Sequence, residues 1–184
     1  MPKRGPAAKA ILRRRSHSAV GDGAPSDKEL RRHLEVAGSV ADHAALRPWR
    51  VIALRGEARE RLGRAFAEAS GLEGTAAEKL ARKPLRAPLL LAIVVSPKPS
   101  VKVPYWEQEA VASGVAHTLS LLLDEAGWGV MWRTGLHTRS DAVHAMHGLA
   151  EGERLLGWLY VGTRPKHKSG RRSPIDATQH LSSL

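Results

Sequence analysis

The stretch APLLLAIVVS, Ala87 to Ser96, constrains the fold more than any other part of the chain. From Leu89 to Val95 every residue is apolar, so a strand here would carry hydrocarbon on both faces of its pleat. Such a strand belongs in the middle of a sheet, with a packing layer on each side. The longest apolar run, Ala87 to Val95, falls well short of the ~18 residues needed to cross a bilayer, and Pro88 lies within it. No membrane association is expected. At 184 residues the chain is long for one domain and short for two, and a single domain over residues 1–184 is the expectation.

The remaining elements arrange themselves around this strand. Ala7 to Leu12 reads as a short helix, and GDGAPS breaks the chain before Ser26 caps a second helix, with Glu29 three residues on in the pattern of a capping box. Leu30, Leu34 and Ala37 mark its buried stripe, and Gly38 its end. A strand over 49–55, helices over about 57–69 and 73–83, and a long helix over about 105–126 follow. The last is apolar over so much of its surface that it must be central or packed against another subunit. WGVMWRTG gives a short strand and turn, RSDAVHAMHG a short helix, and ERLLGWLYVGT a final strand. A basic tail occupies about 164–184.

Composition removes several chemistries. The chain has no cysteine, so disulfides, thiolate catalysis and Cys-based zinc sites are excluded, in keeping with a cytoplasmic location. Lysine and arginine total 29 against 18 acids, a net charge of +11. That excess suits a polyanion or a phosphorylated cofactor equally. Neither GxGxxG nor a Walker A sequence is present, so other residues would have to hold a phosphate.

Arg14, Arg15 and Ser16 could do so, since guanidinium forks match phosphate oxygens and a hydroxyl adds a donor. The same residues would also serve simply to cap a helix C-terminus. Asp42 and His43 are adjacent on a loop and lack further metal ligands. His144 and His147, near Asp141, could share a metal, although a solvated surface is the plainer reading. Glu107 and Glu109 stand in the first turn of the long helix, where the dipole favours acids whatever else they do. In GWGVMWRTG, two tryptophans, Arg133 and Thr134 between glycines suit a flat aromatic ligand.

In order and spacing these segments resemble the nitroreductase family of flavoproteins, and in particular its short branch. The matching pieces are Arg14-Arg15-Ser16, the loop Ala41-Asp42-His43, Pro48-Trp49, Arg86 to Leu90 (RAPLL), Lys102 to Glu109 (KVPYWEQE), Gly129 to Gly135 (GVMWRTG) and Tyr160 to Thr163 (YVGT). The resemblance spans about residues 8–164. It implies an α+β nitroreductase-like fold, a mixed central sheet flanked by helices, assembled as a homodimer with FMN at the subunit interface. The long helix would then pack on its counterpart in the second chain.

On the same resemblance, Arg14, Arg15 and Ser16 would contact FMN, at its phosphate or at the N1 and C2 carbonyl edge of the ring. Ser39 and His43 would reach the cofactor from the other subunit, and Trp132, Arg133 and Thr134 would line the ring, with the Thr134 N–H on flavin N5. Leu122 to Gly127 corresponds to a stretch linked with the nicotinamide donor. The implied activity passes hydride from NADH or NADPH through FMN to nitroaromatics, quinones or similar flat acceptors, with no catalytic side chain and no metal.

Some positions depart from the family pattern. Ser18 stands where many members carry a further Arg or Lys, Ala41 where a proline precedes Asp-His, and Ala45 and Arg47 where larger members have Asn and Gln. Tail residues Lys166, Lys168, Arg171 and Arg172 are candidates to supply the missing phosphate charge. Two other functions fit parts of the sequence: an FMN-binding carrier or regulator without reductase activity, and a basic nucleic-acid-binding module. The second leaves the WEQE helix and the Trp-Arg-Thr turn without a role and lacks any recognition motif, so no specific nucleic acid is expected.

Overall fold

A computed structural model describes residues 4–166 and 173–184. Of the basic tail, Lys168, Arg171 and Arg172 lie outside the described residues. The chain runs α1 (Pro6–Arg13), α2 (Asp27–Ala37), β1 (Trp49–Leu54), α3 (Glu57–Ser70), α4 (Gly74–Ala81), β2 (Leu89–Val95), α5 (Tyr105–Glu125), β3 (Trp128–Arg133), α6 (Asp141–His147) and β4 (Arg154–Thr163). The strands form one sheet in the order β1-β2-β4-β3.

The apolar stretch forms β2, an inner strand buried at all of its positions. Its alternate residues feed two cores: Leu90, Ala92 and Val94 meet Leu62, Phe66, Val143 and Tyr160, while Leu89, Leu91 and Ile93 meet Leu30, Val115, Leu119 and Leu123. Helices α3, α4 and α6 thus cover one face of the sheet, and α2 and α5 the other. The family resemblance implies a mixed sheet, but all strand pairs here are antiparallel. Among the described residues, parallel pairing is confined to the isolated bridge between Ser16 and Val130.

Two local expectations need correction. Ser26 Oγ accepts from the Glu29 N–H at 3.3 Å, but the Glu29 carboxylate does not complete the box. It accepts instead from Trp128 Nε1 at 2.8 Å and ties α2 to β3. His147 lies neither on a solvated surface nor at a metal: it is buried, and its Nε2 accepts from Trp158 Nε1 at 3.0 Å. Indole can only donate, so the imidazole proton sits on Nδ1 and is given to the Val143 carbonyl at 2.7 Å. Burial pushes the pKa of His147 down. His144 Nε2 faces the Thr138 carbonyl at 2.8 Å, and no metal-binding group of three or more His, Asp or Glu occurs among the described residues.

Candidate functional site

Helix α1 ends at Arg13, and Arg14 turns into extended backbone at φ −52°, ψ 135°. The chain then lies along β3: Ser16 bridges Val130, and the His17 N–H donates to the Val130 carbonyl at 2.9 Å. Within this segment the two arginines are used differently. Arg15 Nη1 donates to the carbonyls of Leu12 at 2.6 Å and Arg14 at 3.0 Å, closing the end of α1. Arg14 Nη1 is 3.4 Å from Ser16 Oγ, so a guanidinium and a hydroxyl stand side by side.

The turn after β3 comes to the same place. Arg133 Nη2 donates to the Ser18 carbonyl at 3.2 Å, and its guanidinium carbon lies 5.1 Å from the centre of the Tyr160 ring. Trp132 points to the opposite face of the sheet, edge-on to His117 of α5 at 5.0 Å. Thr134 is exposed beyond the strand end. Gly157 of β4 makes room for this turn: its φ is +132°, and a Cβ there would collide with the Arg133 carbonyl oxygen.

Asp124 holds the arrangement from α5. It is buried, its Oδ1 lies 3.5 Å from the Arg15 N–H and 3.3 Å from Arg164 Nη2, and its Oδ2 is at ion-pair distance, 4.0 Å, from Arg13 Nε. Thus the stretch Leu122 to Gly127 contributes a tether for the arginine segment.

Ser39 and His43 sit elsewhere. Ser39 donates its N–H to Val36, and His43 Nδ1 is 3.0 Å from Glu107 Oε2 at the wall of a cavity of about 660 Å³ that also touches Trp106. Asp42 also lines this cavity and accepts from the Arg47 N–H at 2.7 Å. Sequence reasoning passed over Glu107 as a helix-dipole acid, and nothing in the sequence marks its contact with a residue 64 positions away. Asp124 did leave a signal: an acid beside the buried Leu119 and Leu123 must find a cationic partner.

The sequence profile described as the Nitroreductase family matches residues 11–163. The chain belongs to the nitroreductase family. As a member it is an oxidoreductase with a nitroreductase-like α+β fold. It is 32% identical over 156 residues to YdjA of Escherichia coli strain K12, covering 83% of this chain and 85% of that protein, which carries the provisional name NAD(P)H nitroreductase. A Haemophilus influenzae protein of the same provisional name is 27% identical, with coverage of 83% and 85%. In structure, the nitroreductase-like family protein of Bacillus cereus superposes with a TM-score of 0.84 at 22% identity, covering 100% of this chain and 98% of that one. The FMN and NADPH-dependent nitroreductase NfnB from Sphigopyxis sp. strain HMH gives 0.74 at 19% identity, covering 97% and 98%. Seen within this nitroreductase fold, the Arg14-Ser16 segment and the Trp132-Thr134 turn are brought together in one chain, while His43 stands at a separate cavity and Ser39 just before the loop that lines it.

Proposed function

We propose that this nitroreductase is an FMN-dependent NAD(P)H oxidoreductase that works as a homodimer and reduces flat acceptors such as nitroaromatics and quinones. The observation that carries the reading is the convergence of the arginine segment on the tryptophan turn, through the Ser16–Val130 bridge and the Arg133–Ser18 hydrogen bond. The donor set fits FMN. Arg14 and Ser16 present a guanidinium and a hydroxyl to a phosphate or a ring carbonyl, while Arg15 shapes the segment by capping α1.

When bound, FMN supplies the hydride-accepting N5 and releases the electrons to the second substrate. The chain's own part is positioning. Thr134, exposed at the strand end, offers its N–H toward the ring, and the Arg133 guanidinium stands beside it as positive charge. Ser39 and His43, away from this group, serve the cofactor of the partner chain, which supports two composite sites per dimer. Exposed Trp106, beside His43, is the apolar surface we assign to that contact.

The test is direct. Purified protein is expected to be yellow, to bleach anaerobically with NADH or NADPH, and to elute at twice the chain mass. Arg14→Ala should weaken FMN retention about tenfold or more while the fold survives, the loss of one charge-assisted hydrogen bond. Flavin that stays oxidised under excess donor would mark a carrier instead. Colourless protein that cannot be reconstituted with FMN, and binds DNA with a steep salt dependence, would overturn the reading.

A further inference from the structure

We propose that a cavity of about 390 Å³ on the α3 side of β3 and β4 binds planar aromatic carboxylates, so that acceptors bearing a negative charge are preferred. The inference rests on the oxidoreductase reading above and names the substrate class of that site. The cavity adjoins the turn Trp132 to Thr134. Its size falls in the range of small-molecule sites, roughly 300–1,000 Å³.

Its wall is aromatic. Phe66 and Trp158 meet edge-to-face at 5.2 Å, and the His137 ring stacks on Phe66 at 4.7 Å and 22°. The rim is cationic. Lys83 and Arg86, from the short helical turn before β2, and Arg133, from the end of β3, all line it, and no Asp or Glu does. These charges are felt inside: Arg133 and Arg86 both pull down the pKa of the Tyr160 hydroxyl, which burial nevertheless holds up at about 12, and Lys83 joins burial in lowering that of His137.

Arg133 Nε, a buried N–H on this lining, has no hydrogen-bond partner among the described residues. Native proteins rarely leave such donors unmet. A carboxylate would satisfy this donor and the cations together, and its ring would stack on the aromatic wall. Oxidised FMN has a neutral ring, and the proposed cofactor site gives Arg14 and Ser16 to its phosphate or to a ring carbonyl. Lys83 and Arg86, which the proposed cofactor site does not use and which no acid of the lining offsets, therefore call for a ligand with a formal charge of its own.

The experiment compares 4-nitrobenzoate with the isosteric neutral 4-nitrobenzamide as acceptors for the holoenzyme, alongside calorimetric binding of benzoate. The anion should be preferred in kcat/KM by about tenfold, a preference that shrinks as salt rises. Lys83 and Arg86 are exposed, so their replacement spares the cores. Lys83→Gln and Arg86→Gln together should bring the ratio close to one and weaken benzoate binding in parallel, with FMN affinity of the apoprotein retained. A wild-type ratio near one overturns the proposal, as does an equal loss for both acceptors. So does a fall in FMN affinity, which would give the cavity to the cofactor. Benzoate binding without turnover of any acceptor would instead sink the reductase reading and leave the pocket standing.

Discussion

Arg164 grips Asp124 twice: its Nη2 lies 3.3 Å from the carboxylate Oδ1 and also donates to the Asp124 backbone carbonyl. The carboxylate is 3% exposed and the guanidinium 33%, so the acid is the desolvated partner. Asp124 also reaches Arg13 and the Arg15 N–H, and so joins α5, the end of β4 and the arginine segment. Asp124→Ala removes the side-chain acceptor for all of them and should cost roughly 2–4 kcal/mol of stability, since the partly buried Arg164 and the Arg15 N–H are left without it, while Arg13 is exposed. Asp124→Asn keeps an oxygen for the Arg15 N–H and should cost less. Thermal unfolding of the apoprotein checks the order, and an unchanged midpoint for the alanine variant would refute it.

Gly157 is required for two separate reasons. Its φ of +132° is strained for any other residue, and a side chain there would meet the Arg133 carbonyl and, at 3.0 Å, Trp132 Nε1. Gly157→Ala should cost roughly 2 kcal/mol or more and shift the tryptophan fluorescence, because the turn must move away from β4. A melting temperature within about 1 °C of wild type would show the turn to be more yielding than this geometry allows.

Much of the fold was legible because its signals are local or periodic. The unbroken apolarity of Leu89 to Val95 identified an inner strand, and Leu30, Leu34 and Ala37 the inward face of α2. Family resemblance led to an expected convergence of Arg14-Ser16 and the Trp132 turn across a two-fold axis, since no periodicity joins segments more than a hundred positions apart, whereas the two meet within one chain. What escaped was tertiary pairing. Glu29 left its capping box for Trp128, His147 was drawn under Trp158, and Glu107 met His43, each decided by which side chain the fold brought within about 3 Å. The cationic rim was missed because Lys83 and Arg86 sit next to β2 in sequence but next to Arg133 only in space.

The buried His147 imposes a pH dependence. Its pKa is lowered by burial in the folded state, so between pH 6.5 and that lower value the unfolded chain binds more protons. Stability should therefore be complete above about pH 6.5 and fall as the pH drops below it. His17 and His137 are lowered in the same sense and add to the slope. His147→Gln should flatten the dependence in part while lowering the melting temperature at pH 8, where the Trp158 N–H loses its ring acceptor. A melting curve independent of pH between 8 and 5 would contradict the assignment.

Glu107 holds His43 by one contact, Nδ1 to Oε2 at 3.0 Å, on the face of α5 that fronts the second cavity. A carboxylate at that atom fixes the imidazole proton on Nδ1 and leaves Nε2 as the outward atom whenever the ring is neutral. The His43 side chain is 56% exposed, so the pair adds little to stability, about 0–1 kcal/mol. Under the proposed function, its effect should fall on FMN binding. His43→Ala is expected to weaken FMN binding by roughly 3- to 10-fold, the worth of about one hydrogen bond, and Glu107→Ala by somewhat less. Glu107→Gln, which still offers an oxygen, should be milder again. Because Glu107 acts through His43, the double alanine variant should bind FMN no more weakly than His43→Ala alone. Additive losses in that cycle would mean that Glu107 meets the ligand independently of the histidine.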